Sequence, residues 1–252
     1  MSQPQFSVVP NSRVPHTIVL ADDDFLVVAK PAGVVTQPGV NHDRNALLNG
    51  LFASHGKRLQ NLGKVRDYGL IHRLDALTSG AVLVGLSREG YDHIRAQFVA
   101  RTVEKTYLAL IHGSTQSPKG VIDAGIREQR VRGRKRAIVG DHPRAKSAQT
   151  RFDTLARGRA VSLLACQPHT GRLHQIRAHL AHRKCPVIGD REYGPRGALD
   201  QKLGRKHIWL HAAEIRFQHP RTGKRVTVRV PLPAPLAAFL EEVGVKCPKK
   251  WR

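Results

Sequence analysis

The sequence predicts an α+β fold: a mostly antiparallel, mixed central sheet flanked by helices and basic loops, with an active-site cleft across the sheet. Short apolar runs rich in β-formers come in pairs around turn residues, as at 17–20 with 25–29 and at 208–217 with 225–230. Few segments show helical spacing, and they interrupt the hairpins instead of alternating regularly with strands. No internal repeat, low-complexity segment or linker divides the chain. The organisation expected is a flexible lead-in at 1–16, one catalytic domain at 17–243 and a basic tail at 244–252.

In chain order, 17–20 and 25–29 form a hairpin around Asp22, Asp23 and Asp24, which read as a solvated turn because consecutive side chains diverge. Lys30-Pro31-Ala32-Gly33 closes it as a rigid turn, 45–52 reads as a short helix, and 56–67 as a polar, basic connection. A buried strand follows at 81–84. Ser87 caps a helix on which Tyr91, Ile94, Phe98 and Val99 share a face. A strand at 103–111 carries Tyr107 and ends at Gly113. The segment 119–151 is the most basic, and Gly125, Gly133 and Gly140 make long hairpin loops its expected form. Strands resume at 148–155 and 160–167. Leu173, Ile176, Leu180 and Ala181 then mark an amphipathic helix starting just after Thr170-Gly171. A strand-to-turn at 187–190, a basic loop at 196–206, the last hairpin and a short helix at 235–243 complete the chain.

Of the 252 residues, 42 are Lys or Arg against 19 acidic, a formal charge of +23. Such an excess costs self-repulsion in the folded state and points to a polyanionic partner gripped mainly through phosphates, since aromatic residues are only 5%. No apolar run approaches the ~18 residues of a membrane span. The amino terminus lacks the basic and apolar regions of a secretory signal, and the three scattered cysteines form no disulfide framework, so a cytoplasmic setting is expected. No carboxylate cluster for two-metal chemistry, no nucleotide-binding glycine loop and no acyl-hydrolase elbow is present. His169, His174, His179 and His182 step by five, five and three with no carboxylate near, which does not suit a metal. No metal site is expected.

What remains is one carboxylate in basic surroundings. In Ile71-His72-Arg73-Leu74-Asp75-Ala76-Leu77-Thr78-Ser79-Gly80, Asp75 stands at the end of a loop feeding the 81–84 strand. Taken alone it reads as a turn carboxylate paired with Arg73. It can equally serve as a metal-free nucleophile or general base, kept ionised by an adjacent arginine.

The stretch from His72 to Gly80 resembles the signature of the RluA family of RNA pseudouridine synthases. Lys30-Pro31-Ala32-Gly33, Glu104-Lys105-Thr106-Tyr107-Leu108-Ala109, the 170–179 segment and Gly189-Asp190 with Tyr193-Gly194 resemble its other motifs, in the same order. The resemblance implies isomerisation of uridine to pseudouridine in structured ribosomal or transfer RNA, without cofactor or metal. It makes Asp75 the catalytic aspartate, Tyr107 the candidate for removing the C5 proton, and Arg177 the partner that orients Asp75. Arg73 would enter the RNA stack when the base is flipped. The remaining RNA contacts are expected from His72, Arg172, His174 and the basic run Arg132, Arg134, Lys135 and Arg136, with His72 reading equally as a residue that supports the site from behind or contacts a phosphate. The lead-in is too short for the separate RNA-binding domain many relatives carry, so a monomeric, single-domain type is expected. The rival reading is a non-catalytic RNA-binding or ribosome-associated protein, which charge alone would favour.

Overall fold

The computed structural model describes residues 6–131, 133–203 and 207–251. It is a mixed α+β structure of mainly antiparallel strands with helices beside them. The chain packs as two compact units, one formed by Met1–Val103 with Glu214–Val230 and one by Glu104–Ala213 with Pro231–Arg252.

In the first unit β1 (Thr17–Ala21) pairs with β2 (Phe25–Lys30), and β2 with β3 (Ser79–Gly85). β2 and β3 read as unbroken apolar runs because both their faces are covered. Phe25, Val27, Ala81 and Leu83 on one side and Leu26, Val28, Val82 and Val84 on the other are all buried. α2 (Arg88–Val99) adds Tyr91 and Ile94 to that core, with Ser87 Oγ accepting from the Gly90 amide as its cap. Val99, expected on the same face, is 74% exposed.

The aspartate turn departs from expectation. Asp24 is buried, accepting from Ser87 Oγ and from the guanidinium of Arg221, which stands in the turn before β11 (Arg225–Arg229). That bond holds the Asp24 carboxyl below its usual range.

α1 (Leu47–Leu62) is much longer than the helix expected at 45–52 and takes up most of the expected connection. Leu51, Phe52, Leu59 and Leu62 supply its buried side across a kink at His55. Residues 6–16, expected as a flexible lead-in, are packed on it. Phe6 sits edge-on to Phe52 at 5.6 Å, and Val8 and Val14 are buried. The Asn49 side-chain amide donates to Val9 O. Two helical glycines permit the contact: a Cβ on Gly50 would meet His16 at 2.9 Å, and one on Gly56 the Phe6 ring at 2.8 Å.

In the second unit β4 (Glu104–His112) pairs with β9 (Val161–Pro168), β9 with β8 (Gln149–Arg157) and β8 with β5 (Lys119–Asp123), all antiparallel. β6 (Ile126–Val131) and β7 (Arg134–Val139) form a separate two-stranded antiparallel sheet in the segment where long hairpin loops were expected. α3 (Gln175–His182) begins later than predicted, because His174 takes a left-handed conformation and Thr170 Oγ1 hydrogen-bonds the Gln175 side chain. α4 (Ala198–Leu203) occupies part of the expected basic loop, whose residues 204–206 lie outside the described ones.

β10 (Leu210–Gln218) starts in the second unit and finishes in the first, where it pairs with β11. In the second unit α5 (Ala234–Glu242) accepts the Trp209 indole N–H at Leu236 O. The expected basic tail buries Val245, Cys247 and Trp251. No described helix is long and apolar enough to cross a membrane.

Candidate active-site residues

Backbone bonds fasten the loop bearing Asp75 along its length. The Ile71 amide donates to Leu83 O, and Ile71 O accepts from Arg95. Leu74 is held through both its amide and its carbonyl by the buried Thr36 hydroxyl, at 3.1 and 2.8 Å. Asp75 O accepts from the Thr78 amide, and Ala76 O from the Gly33 amide at 2.8 Å. The Asp75 side chain is half-buried on this fixed stretch, and Arg73 is exposed.

Lys30 is the residue that sequence reasoning passed over. It is 1% exposed, and its Nζ donates to Pro31 O, Val34 O and Ala76 O at 3.0, 2.6 and 3.0 Å. Three acceptors match the three protons of an ammonium. Burial pushes Lys30 down to about 7, against the pull of the Asp75 carboxylate, which raises it. The signal lay in the strand pattern: Lys30 continues the Leu26–Val28 parity of a strand buried on both faces. Gly33, at φ 88°, turns the chain so that its amide and the Lys30 ammonium reach the same carbonyl.

His72, expected at the RNA, is engaged inside the protein. Its Nε2 accepts from the Leu83 amide at 3.0 Å and its ring stacks on Phe98 at 4.9 Å. It registers the loop against β3.

In the second unit Tyr107 is half-buried on β4, opposite Cys166 of β9. Arg177 is 7% exposed, and two acids that the sequence did not pair with it hold its guanidinium. Nε and Nη2 bind the Asp190 carboxylate at 2.7 and 2.9 Å, and Nη2 reaches Glu192 at 3.2 Å. This bidentate geometry fixes the plane of the guanidinium. Asp190 is itself set by the amides of Glu192 and Tyr193.

His174 and Arg136, expected at the RNA, also face inward. His174 Nδ1 lies 3.0 Å from the Tyr193 hydroxyl, and Arg136 donates to Glu192 O at 2.7 Å. Arg172 gives its Nε to Ser147 O. Lys135 is exposed and pairs with Glu128 at 3.2 Å. Arg134 opens β7, and Arg132 lies outside the described residues. The hairpin's charge is carried instead by Arg127 and Arg130 on β6 and by Arg144. With Glu128 and His142 these line an open groove of about 770 Å³. Among the described residues no group of three or more His, Cys, Asp or Glu is arranged to hold a metal ion.

The model of the RNA pseudouridylate synthase family matches residues 24–182, a span that contains Asp75, Tyr107 and Arg177. The chain belongs to the RNA pseudouridylate synthase family. It is 39% identical over 225 residues to an uncharacterised RNA pseudouridine synthase of Mycobacterium bovis, covering 89% of this chain and 72% of that one. It is 37% identical over 236 residues to the ribosomal large subunit pseudouridine synthase D of Xanthomonas campestris, covering 90% and 69%. The solved structure of human RNA pseudouridylate synthase domain containing 1 superposes with a TM-score of 0.70 at 28% identity, covering 91% and 89%. Membership in this family of isomerases disfavours the passive RNA-binding alternative.

Proposed function

We propose that this pseudouridine synthase isomerises uridine in ribosomal RNA, with Asp75 as the residue that engages the flipped nucleotide. The reading rests on the family match together with the similarity to relatives named for the large ribosomal subunit. In the reaction the bond from C1′ to N1 breaks, the uracil turns, a bond from C1′ to C5 forms, the C5 proton leaves and N1 takes up a proton. Tyr107 is the group we assign to that proton. Arg177, already fixed in plane by Asp190 and Glu192, is the cation assigned to orient Asp75 and keep it ionised. Lys30 and Thr36 support the reading by immobilising the Asp75 backbone, since catalysis depends on groups held in place before substrate arrives. Arg73 fills the space left by the extruded base, whose unstacking costs a few kcal/mol.

Phosphate contacts are assigned to Arg127, Arg130, Lys135 and Arg144 and to the remaining nitrogens of Arg172. His72, His174 and Arg136 are assigned to supporting the protein instead. We take the enzyme to act as a monomer in the cytoplasm, a setting that suits three buried thiols.

The test is release of tritium from transcripts labelled at uridine C5. Release from large-subunit ribosomal RNA and not from transfer RNA is the expected result. Release from transfer RNA alone would overturn the choice of substrate, and release from neither would overturn the reaction.

A further inference from the structure

We propose that Tyr193 is a positioning residue that couples the seating of the β6–β7 hairpin on RNA to the orientation of the Arg177 guanidinium. The proposal deepens the reading above by naming the link between the phosphate-gripping surface and the arginine assigned to the aspartate.

Tyr193 touches both elements with both ends of its side chain. Its hydroxyl accepts from the Ala137 amide of β7 at 2.8 Å and hydrogen-bonds His174, the residue preceding α3, at 3.0 Å. Its ring has two guanidiniums at 5.1 Å from the centroid, Arg136 from β7 and Arg177 from α3. Both lie within the range of cation–π attraction.

The short turn on which Tyr193 sits repeats the connection. Glu192 O accepts from Arg136, and the Glu192 carboxylate accepts from Arg177. Beneath this lies a small apolar seam in which Ala137 of the hairpin and Ala178 of the helix share a cluster with Ile126 and Ala148, and Tyr193 packs against it. A shift of the hairpin therefore moves Tyr193 and Arg136, and Arg177 is the next group they touch.

The hairpin has reason to shift. Its two strands form a sheet of their own, tied to the adjoining chain at one end by the Ile126–Lys146 bridge, and they carry the Arg127 and Arg130 charges that a phosphodiester backbone attracts. Where the hairpin meets Glu192, the Nε of Arg136 is buried with no hydrogen-bond partner among the described residues. A buried donor left unsatisfied is a cost that a small re-seating can relieve.

Two variants separate the parts of the link. Tyr193→Phe keeps the ring between the guanidiniums and loses the hydroxyl bonds, and Tyr193→Leu loses both. With a transcript of large-subunit ribosomal RNA, Tyr193→Leu is expected to lower kcat by about ten-fold or more while KM changes less than three-fold, with Tyr193→Phe intermediate. In a double-mutant cycle with Arg127→Gln/Arg130→Gln, the effect of the hairpin variant on kcat should shrink in the Tyr193→Leu background. Additive effects on kcat would overturn the proposal, as would a loss confined to KM.

Hydrogen exchange reads the same link without turnover. RNA should protect amides of both β6–β7 and α3 in the wild type, but only those of β6–β7 in Tyr193→Leu. Unchanged α3 protection in the variant would overturn the coupling even if no RNA were modified. Absence of tritium release by the wild type would instead strike the proposed reaction alone.

Discussion

Asp75 and Lys30 share one stretch of backbone. Asp75 ends the loop, and the Lys30 ammonium holds the carbonyl of the next residue, Ala76. Asp75→Asn keeps the loop's backbone bonds, so we expect turnover to vanish while RNA affinity stays within about three-fold of wild type. Filter binding and tritium release on the same preparation check both halves; a large loss of affinity would mark Asp75 as structural. Lys30→Met is expected to lower kcat by roughly ten-fold through loss of the Ala76 anchor. It also carries a pH signature. Lys30 is lowered to about 7 in the folded protein from 10.5 unfolded, so between these values the unfolded chain binds the extra proton. Stability contributed by this site therefore rises as pH climbs from about 7 and is lowest below it. Urea unfolding at pH 6.5 and 9 should show that rise in the wild type and its loss in Lys30→Met.

Among the elements, α2 is fixed by its first turn. A Cβ on Gly90 would lie 2.5 Å from the Asp24 carbonyl oxygen, a backbone atom that also accepts from the Leu86 amide and cannot retreat without breaking that bond. Gly90→Ala gains roughly 1 kcal/mol of helix propensity. The steric conflict is expected to outweigh this, for a net destabilisation of about 1–3 kcal/mol by chemical unfolding. Equal or higher stability would mean that the turn yields. The same close approach explains what was legible at this scale. Ser87, Tyr91 and Ile94 announced α2 by local chemistry, and the apolar pairs announced β1–β3 and β10–β11. α1 was cut short because 56–67 reads as a polar, basic connection, and Gly50 and Gly56 gain their meaning only from the fold. They serve a segment, 6–16, that lies some forty residues earlier in the sequence and nearby in space. Asp24 was read as solvated because its partner, Arg221, is 197 residues away. Lys30 and Asp190 were missed for the same reason: each is defined by what the fold closes around it, and neighbouring residues say nothing about that.

For the whole molecule, the charge of +23 sets the binding law more than any single side chain does. Association with RNA should weaken steeply with salt, because each neutralised phosphate releases a counterion. Replacing Arg127, Arg130 and Lys135 with glutamine is expected to reduce the slope of log affinity against log salt by about one unit for each phosphate no longer neutralised. An unchanged slope would return these residues to a merely solvated face. Sequence alone singled out the segment 119–151; of its named side chains Arg136 donates to Glu192 O and Lys135 pairs with Glu128. Charge along a chain does not reveal what each side chain meets in the fold: Arg136 shares a face of the two-stranded sheet with Arg127, yet reaches Glu192.

β10 passing from one unit into the other has a consequence in time. The core around Phe25, Val27 and Leu83 also contains Ile215, Phe217, Val228 and Val230. These leave the ribosome more than a hundred residues after Val103. At about 5–20 residues per second, the part of the chain bearing Asp75 waits roughly 5–20 s with apolar strands uncovered. The second unit's strands and Arg177 helix are synthesised during that interval. The aspartate's own scaffold therefore closes only after most of the second unit has been made, and a nascent chain halted before residue 214 would carry every assigned catalytic side chain yet lack the strands that complete the core beneath the first of them.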